Sequence, residues 1–116
     1  MNIVLIVLAL LLGVAATGSA LGKLRRTPSV MESMHSVGVS DQLIRVLALL
    51  ELLGALGLLI GIWIVPIGTA AAAGLTLYFI GALIAHARVK APIKESVPPL
   101  VLAVLALATT LLELAR

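Results

Sequence analysis

The chain has 116 residues, 62% of them hydrophobic and 11% charged, so it is one domain long but has too little polar surface to coat a globule in water. Its formal net charge of +3 comes with only one Trp, one Tyr and one Phe, which gives no basic, stacking surface for a nucleic acid. It has no cysteine, and therefore carries no disulfide, thiolate metal site or thiol redox chemistry of its own.

The first predicted element is an apolar run at about 2–22. A span needs ~20 apolar residues to cross ~30 Å of hydrocarbon as a helix. Thr17-Gly18-Ser19-Ala20 has the small residues of a signal-peptide cleavage site, but no basic stretch precedes the run. It is read as a retained first span. Gly18 and Gly22, four apart, give it a small-residue face for helix packing.

The connection that follows has a pattern of its own at about 27–38. Thr27 can cap a helix with Pro28 at its first position, and Gly38 can stop it. Between them Val30, Met34 and Val37 fall on one face, while Glu32, His35 and Ser36 point elsewhere. The pattern predicts a short amphipathic helix lying in the membrane interface, with His35 solvated.

The second apolar run, about 43–64, carries one charge in its interior, Glu51. An unpaired charge there costs ~2.5 kcal/mol or more. Glu51 lies about nine residues in from the start of the run, roughly 13 Å deep, and Gly54 and Leu58 continue its face with Gly61 at the edge. The carboxylate is therefore expected to point into a bundle. Gly57 and Gly61 repeat the four-residue spacing of small residues.

A tight turn is predicted at Val65-Pro66-Ile67-Gly68, with Trp63 beside it at the membrane surface. The third run, about 67–87, contains the alanines 70–73, Gly74 and Gly81 as packing positions, Tyr78 in its middle and His86 in its last turn. A loop over 91–96 leads to the fourth run, about 97–114, where Pro98 and Pro99 suit a first turn. Glu113 near its end can reach water or pair with Arg116.

These elements make an all-α integral membrane protein: a four-transmembrane-helix bundle, one domain over 1–116, with a short amphipathic interfacial helix between helices 1 and 2. Basic residues orient it. Lys23, Arg25, Arg26, Arg45, Arg88, Lys90 and Lys94 lie in or beside the loops 23–42 and 88–96, against Arg116 at the other side. By the positive-inside rule both loops are cytoplasmic and both termini outside. The lipid bilayer is then its first partner, and the glycine faces serve either the bundle itself or a homo-oligomer.

Acid, imidazole and amine converge on the inner half of this bundle. Glu51 can pair with Lys23 or His86, or carry a proton, and simply pin helices together. It can belong to a proton or cation relay, since intramembrane acids and histidines mark ion pathways. Or the cluster can line a pocket for a lipid-soluble ligand such as a quinone, with Glu51 or His86 on its polar end. Tyr78 can bond into the same cavity or to a backbone carbonyl. No metal-ligand spacing, phosphate loop or serine nucleophile with its base is present, so catalysis by the chain alone is not expected.

Gly18 to Gly22-Lys23-Leu24, Gly38-Val39, Glu51-Leu52-Leu53-Gly54-Ala55-Leu56-Gly57-Leu58 and His86 together resemble the DoxX-like family of small bacterial four-helix membrane proteins. The resemblance covers nearly the whole chain and maps the family's recurrent lysine, glutamate and histidine onto Lys23, Glu51 and His86. Ser40 stands where the family pattern has a proline. What the resemblance implies is a place in the plasma membrane and a role as accessory or scaffold subunit of a membrane complex, redox- or quinone-linked, with oxidoreductase subunits among its partners. The small multidrug resistance transporters are similar in length and in having an intramembrane glutamate. Theirs lies in the first helix, and the run 2–22 has no acid.

Overall fold

The structure is a computed structural model that describes residues 3–90 and 93–116. Five helices follow in order: α1 (Ile3–Leu24), α2 (Pro28–Ser36), α3 (Asp41–Ile60), α4 (Val65–Arg88) and α5 (Ile93–Ala115). All but α2 are long and apolar enough to cross a membrane. The described residues contain no strand. The four long helices form the expected bundle, α1 packing mainly on α3 and α4 on α5, with α3 on α4 and α1 on α5 closing it.

With apolar residues on every side, the inner stripe of each helix is marked by small and polar residues. In α1 it runs Leu5, Ala9, Leu12, Ala16, Ala20, Lys23, and in α3 Ile44, Ala48, Glu51, Leu58. In α4 it passes through Gly68, Ala72, Leu75, Phe79 and His86, and in α5 through Leu102, Ala106, Thr109 and Glu113. Steps of three and four residues follow from the 3.6-residue turn. Val7, Leu11, Leu49, Leu53, Leu77 and Leu111 are among the many large apolar side chains left facing outward. That surface suits lipid, where another helix is no better a neighbour than an acyl chain unless it packs more closely.

Capping fixes the turns. Gly22 and Lys23 carbonyls accept from Thr27 and Arg26 amides, a closing pattern that holds Arg26 at φ 55°. The end of α2 repeats it: Gly38 at φ 82° donates to the His35 carbonyl and Val39 to that of Met34. Thr27 occupies the N-cap of α2, but its hydroxyl makes no capping bond. Ser40 does cap α3, its Oγ accepting from the Leu43 amide at 3.2 Å. The residue that departs from the expected family proline thus starts the helix carrying Glu51.

Several boundaries differ from the sequence reading. The turn between α3 and α4 falls at Gly61–Ile64, not at 65–68, because Pro66 begins α4 instead of ending α3. Helix α5 begins by Ile93, so Pro98 and Pro99 lie inside it and not in its first turn. Of the expected loop, Ala91 and Pro92 lie outside the described residues, and the rest is helical. On α2 the most buried residue is Met31, flanked by the partly buried Val30, Met34 and Val37.

The glycines divide into two kinds. Gly54 and Gly57 let α3 close on α4, where an added Cβ would meet Leu75 and Ala71, each at 2.8 Å, and Gly61 abuts the backbone of Gly68. Gly18, Gly74 and Gly81 were expected at helix contacts too, but a Cβ there would meet nothing within 4 Å. Gly22 has only an ordinary contact with Val30. Spacing alone cannot say which of two small-residue faces meets a neighbour.

Candidate functional site

Lys23 ends the inner stripe of α1, and its side chain turns back along the helix, as helical side chains do. Its Nζ donates to Ser19 Oγ at 2.9 Å and to Glu51 Oε1 at 2.6 Å. Tyr78 on α4 donates to the same carboxylate oxygen at 3.1 Å, and its ring lies 5.9 Å from the ammonium. Glu51 is wholly buried and Lys23 is 6% exposed. Three helices are thus joined through one carboxylate. Its second oxygen, Oε2, is buried without a hydrogen-bond donor among the described residues, so the Lys23 ammonium carries most of its charge balance.

His86 is not part of this knot. Its Nδ1 lies 2.8 Å from the Ala82 carbonyl, which only accepts, so Nδ1 carries a hydrogen. Nε2 then faces Ser33 Oγ on α2 at 3.4 Å, as an acceptor in the neutral ring. The sequence reading named Ser19 only as part of a cleavage-type stretch and gave Ser33 no role. Their signal was positional: Ser19 lies four residues before Lys23, and Ser33 lies on α2 between the inward positions Val30 and Val37.

Between the two groups is a cavity of ≈ 690 Å³. Lys23, Tyr78 and His86 line it together with Gly18, Gly81 and the α2 residues Val30, Ser33, Met34 and Val37. Two of the glycines that pack against nothing therefore open the space, and α2 covers it. Among the described residues no cluster of His, Cys, Asp or Glu could hold a metal ion. Arg45, Arg88 and Lys90, basic residues near the same end of the bundle, are exposed and do not join the cluster.

A second knot closes the other end of the bundle. Glu113 does not reach water: it is 3% exposed, with Oε2 2.9 Å from Arg116 Nε. Arg116 also donates to the Ile62 carbonyl at 3.2 Å and to that of Gly61, the carbonyl groups that α3 leaves unpaired where it ends. Gly68 leaves room beside it: a Cβ there would fall 2.7 Å from Glu113 Oε1, so a larger residue would push the carboxylate aside.

Four apolar spans around two buried ion pairs, with a mostly apolar pocket near one end that Lys23, Tyr78 and His86 also line, define a multi-pass helical membrane protein. The chain belongs to the DoxX-like family, whose model matches residues 7–109. No curated protein and no solved structure matches it.

Proposed function

We propose that the protein is an accessory subunit of a membrane complex, holding a lipid-soluble small molecule in the cavity between α1, α4 and α5. The observation that carries this reading is the cavity of ≈ 690 Å³ with Lys23, Tyr78 and His86 on its walls. Its size lies within the range of ordinary small-molecule pockets, roughly 300 to 1,000 Å³, and few polar groups among apolar ones is their usual composition. The family resemblance suggests a quinone as the ligand class and an oxidoreductase as the partner. The loops 23–42 and 88–96 face the cytoplasm of the plasma membrane in this reading, by the excess of basic residues they carry. Proton-coupled export is less well supported, because the Glu51 carboxylate already has Lys23 at 2.6 Å and Tyr78 at 3.1 Å.

The test is native mass spectrometry of the protein extracted gently from its own membrane. A stoichiometric oxidoreductase subunit or a retained quinone that is lost in His86→Ala supports the reading. A chain that leaves the membrane with neither partner nor small molecule overturns it.

A further inference from the structure

We propose that the turn between α3 and α4 is a surface that docks on lipid, seated where the acyl chains of one leaflet meet their headgroups at the end of the bundle opposite the basic loops, with Arg116 and Glu113 keeping its backbone out of water. This turn lies apart from the cavity, and its seating does not depend on what the cavity holds.

The side chains supply the first reason. From Leu52 to Gly68 the only polar group on any side chain is the indole N–H of Trp63. Leu56, Leu59 and Ile60 on α3 are exposed, and so are Trp63, Ile64 and Ile67 beyond it, so the lipid-facing surface of the spans continues around the turn without a polar break. The other end of the bundle is built differently. In and beside its connections Arg25, Ser29, Glu32, Asp41, Arg88 and Lys90 are exposed, as suits chain in contact with water.

The backbone supplies the second. The amides of Gly61, Ile62, Trp63, Ile64, Ile67 and Gly68 all donate to carbonyls within the turn or its flanking helical turns, and Pro66 has no N–H to satisfy. Arg116 donates to the Gly61 and Ile62 carbonyls, groups that a helix end ordinarily leaves to water. Its charge is matched by Glu113 at 2.9 Å, and the two side chains are only 16% and 2% exposed. An irregular segment can approach hydrocarbon only when its polar groups are satisfied within the protein.

Helix length sets the depth. Beginning at Asp41 beside the basic loops, the 20 residues of α3 reach about 30 Å, the thickness of the hydrocarbon layer. The turn therefore arrives at the far boundary and not beyond it. Trp63, 73% exposed, suits that level, since its ring is apolar and its N–H can meet a headgroup. A protein partner is less well matched: interfaces between proteins carry hydrogen bonds, and the side chains of this surface, apart from the indole, have none to offer. Acyl chains need none.

The experiment uses the full chain in nanodiscs of phosphatidylcholine, where both faces meet solvent, and reads the fluorescence of Trp63, the one tryptophan in the sequence. Phosphatidylcholine brominated near the top of the acyl chain is expected to give the largest loss of emission, lipid brominated near the chain's end a smaller one, and aqueous iodide the smallest. Quenching by iodide equal to that of free tryptophan amide puts the turn in water and overturns the proposal. Strongest quenching by the deep bromines places it inside the hydrocarbon, and protection from every quencher means that another copy of the chain covers it; either result also overturns the proposal. Arg116→Ala/Glu113→Gln removes the cation together with the charge it balances, and so uncovers the carbonyls without stranding a carboxylate. Iodide quenching of the folded double variant, recovered by gel filtration, is expected to rise toward that of the free amide. Unchanged quenching there overturns the role given to Arg116 and Glu113.

Discussion

Lys23 Nζ lies 2.6 Å from Glu51 Oε1 across 28 positions of sequence, tying the end of α1 to the middle of α3. Removing one partner of such a buried pair leaves the other uncompensated, at about 3 to 5 kcal/mol, whereas replacing both with apolar residues of similar volume is often close to neutral. Thermal unfolding in detergent should therefore fall sharply for Lys23→Ala and Glu51→Ala and recover most of the loss in Lys23→Met/Glu51→Leu. Glu51→Gln, which keeps the shape and some hydrogen bonding, should lie between. A double variant as unstable as the singles would contradict this account.

Gly61 and Gly81 should respond in opposite directions to the same substitution. In Gly61→Ala the new methyl meets the Gly68 backbone, which cannot move aside without separating α3 from α4. In Gly81→Ala it enters open space and gains helix propensity of about 1 kcal/mol. Side-by-side melts of the two variants check both signs at once, before any ligand is added.

Arg116 is expected to matter far more than a residue at the end of the described chain ordinarily would. It is the cation beside the buried Glu113 and a donor to the Gly61 and Ile62 carbonyls. Arg116→Ala should cost about 3 kcal/mol or more by stranding that carboxylate. Adding Glu113→Gln should restore part of the stability, because the stranded group is then neutral. No restoration would mean that the carbonyl contacts, and not the charge, are what Arg116 supplies.

The absence of cysteine makes orientation measurable without background. Ser36 and Trp63 are both exposed and lie in connections at opposite ends of the bundle. With the basic loops in the cytoplasm, Trp63→Cys should react with a membrane-impermeant maleimide in intact cells, and Ser36→Cys only after the cells are opened. The reverse pattern would invert the proposed topology.

The buried knots differ in how far they could be read from the chain. Glu51 declared itself, being the one charge inside its span, and the stripe through Ala48 and Leu58 placed it inward. Lys23 and His86 were its eligible partners because polar groups at that depth are few; Lys23 reaches it, His86 does not, and Tyr78 bonds the same carboxylate. For Glu113 the sequence left water and Arg116 open, and the structure pairs it with Arg116, as the stripe Leu102, Ala106, Thr109, pointing inward four residues before it, favours. Nearness to a helix end suggested solvent. The Arg116 side chain folding back over α3 decided otherwise, and that contact joins residues 54 positions apart.

What the sequence by itself determined was the solvent and the secondary structure. Uninterrupted apolar runs of membrane length admit only helices, since each backbone group must find its partner within its own segment. Proline and glycine positions then set most of the breaks, apart from the turn before Pro66 and the early start of α5. What only the tertiary structure decided was which small-residue face meets a neighbour. Gly61 and Gly81 look alike along the chain, yet one is pressed against Gly68 and the other borders a cavity. Hydrophobicity cannot choose between faces when lipid is as apolar as the next helix, so the choice falls to close packing and to the pairing of a few buried charges across distant segments.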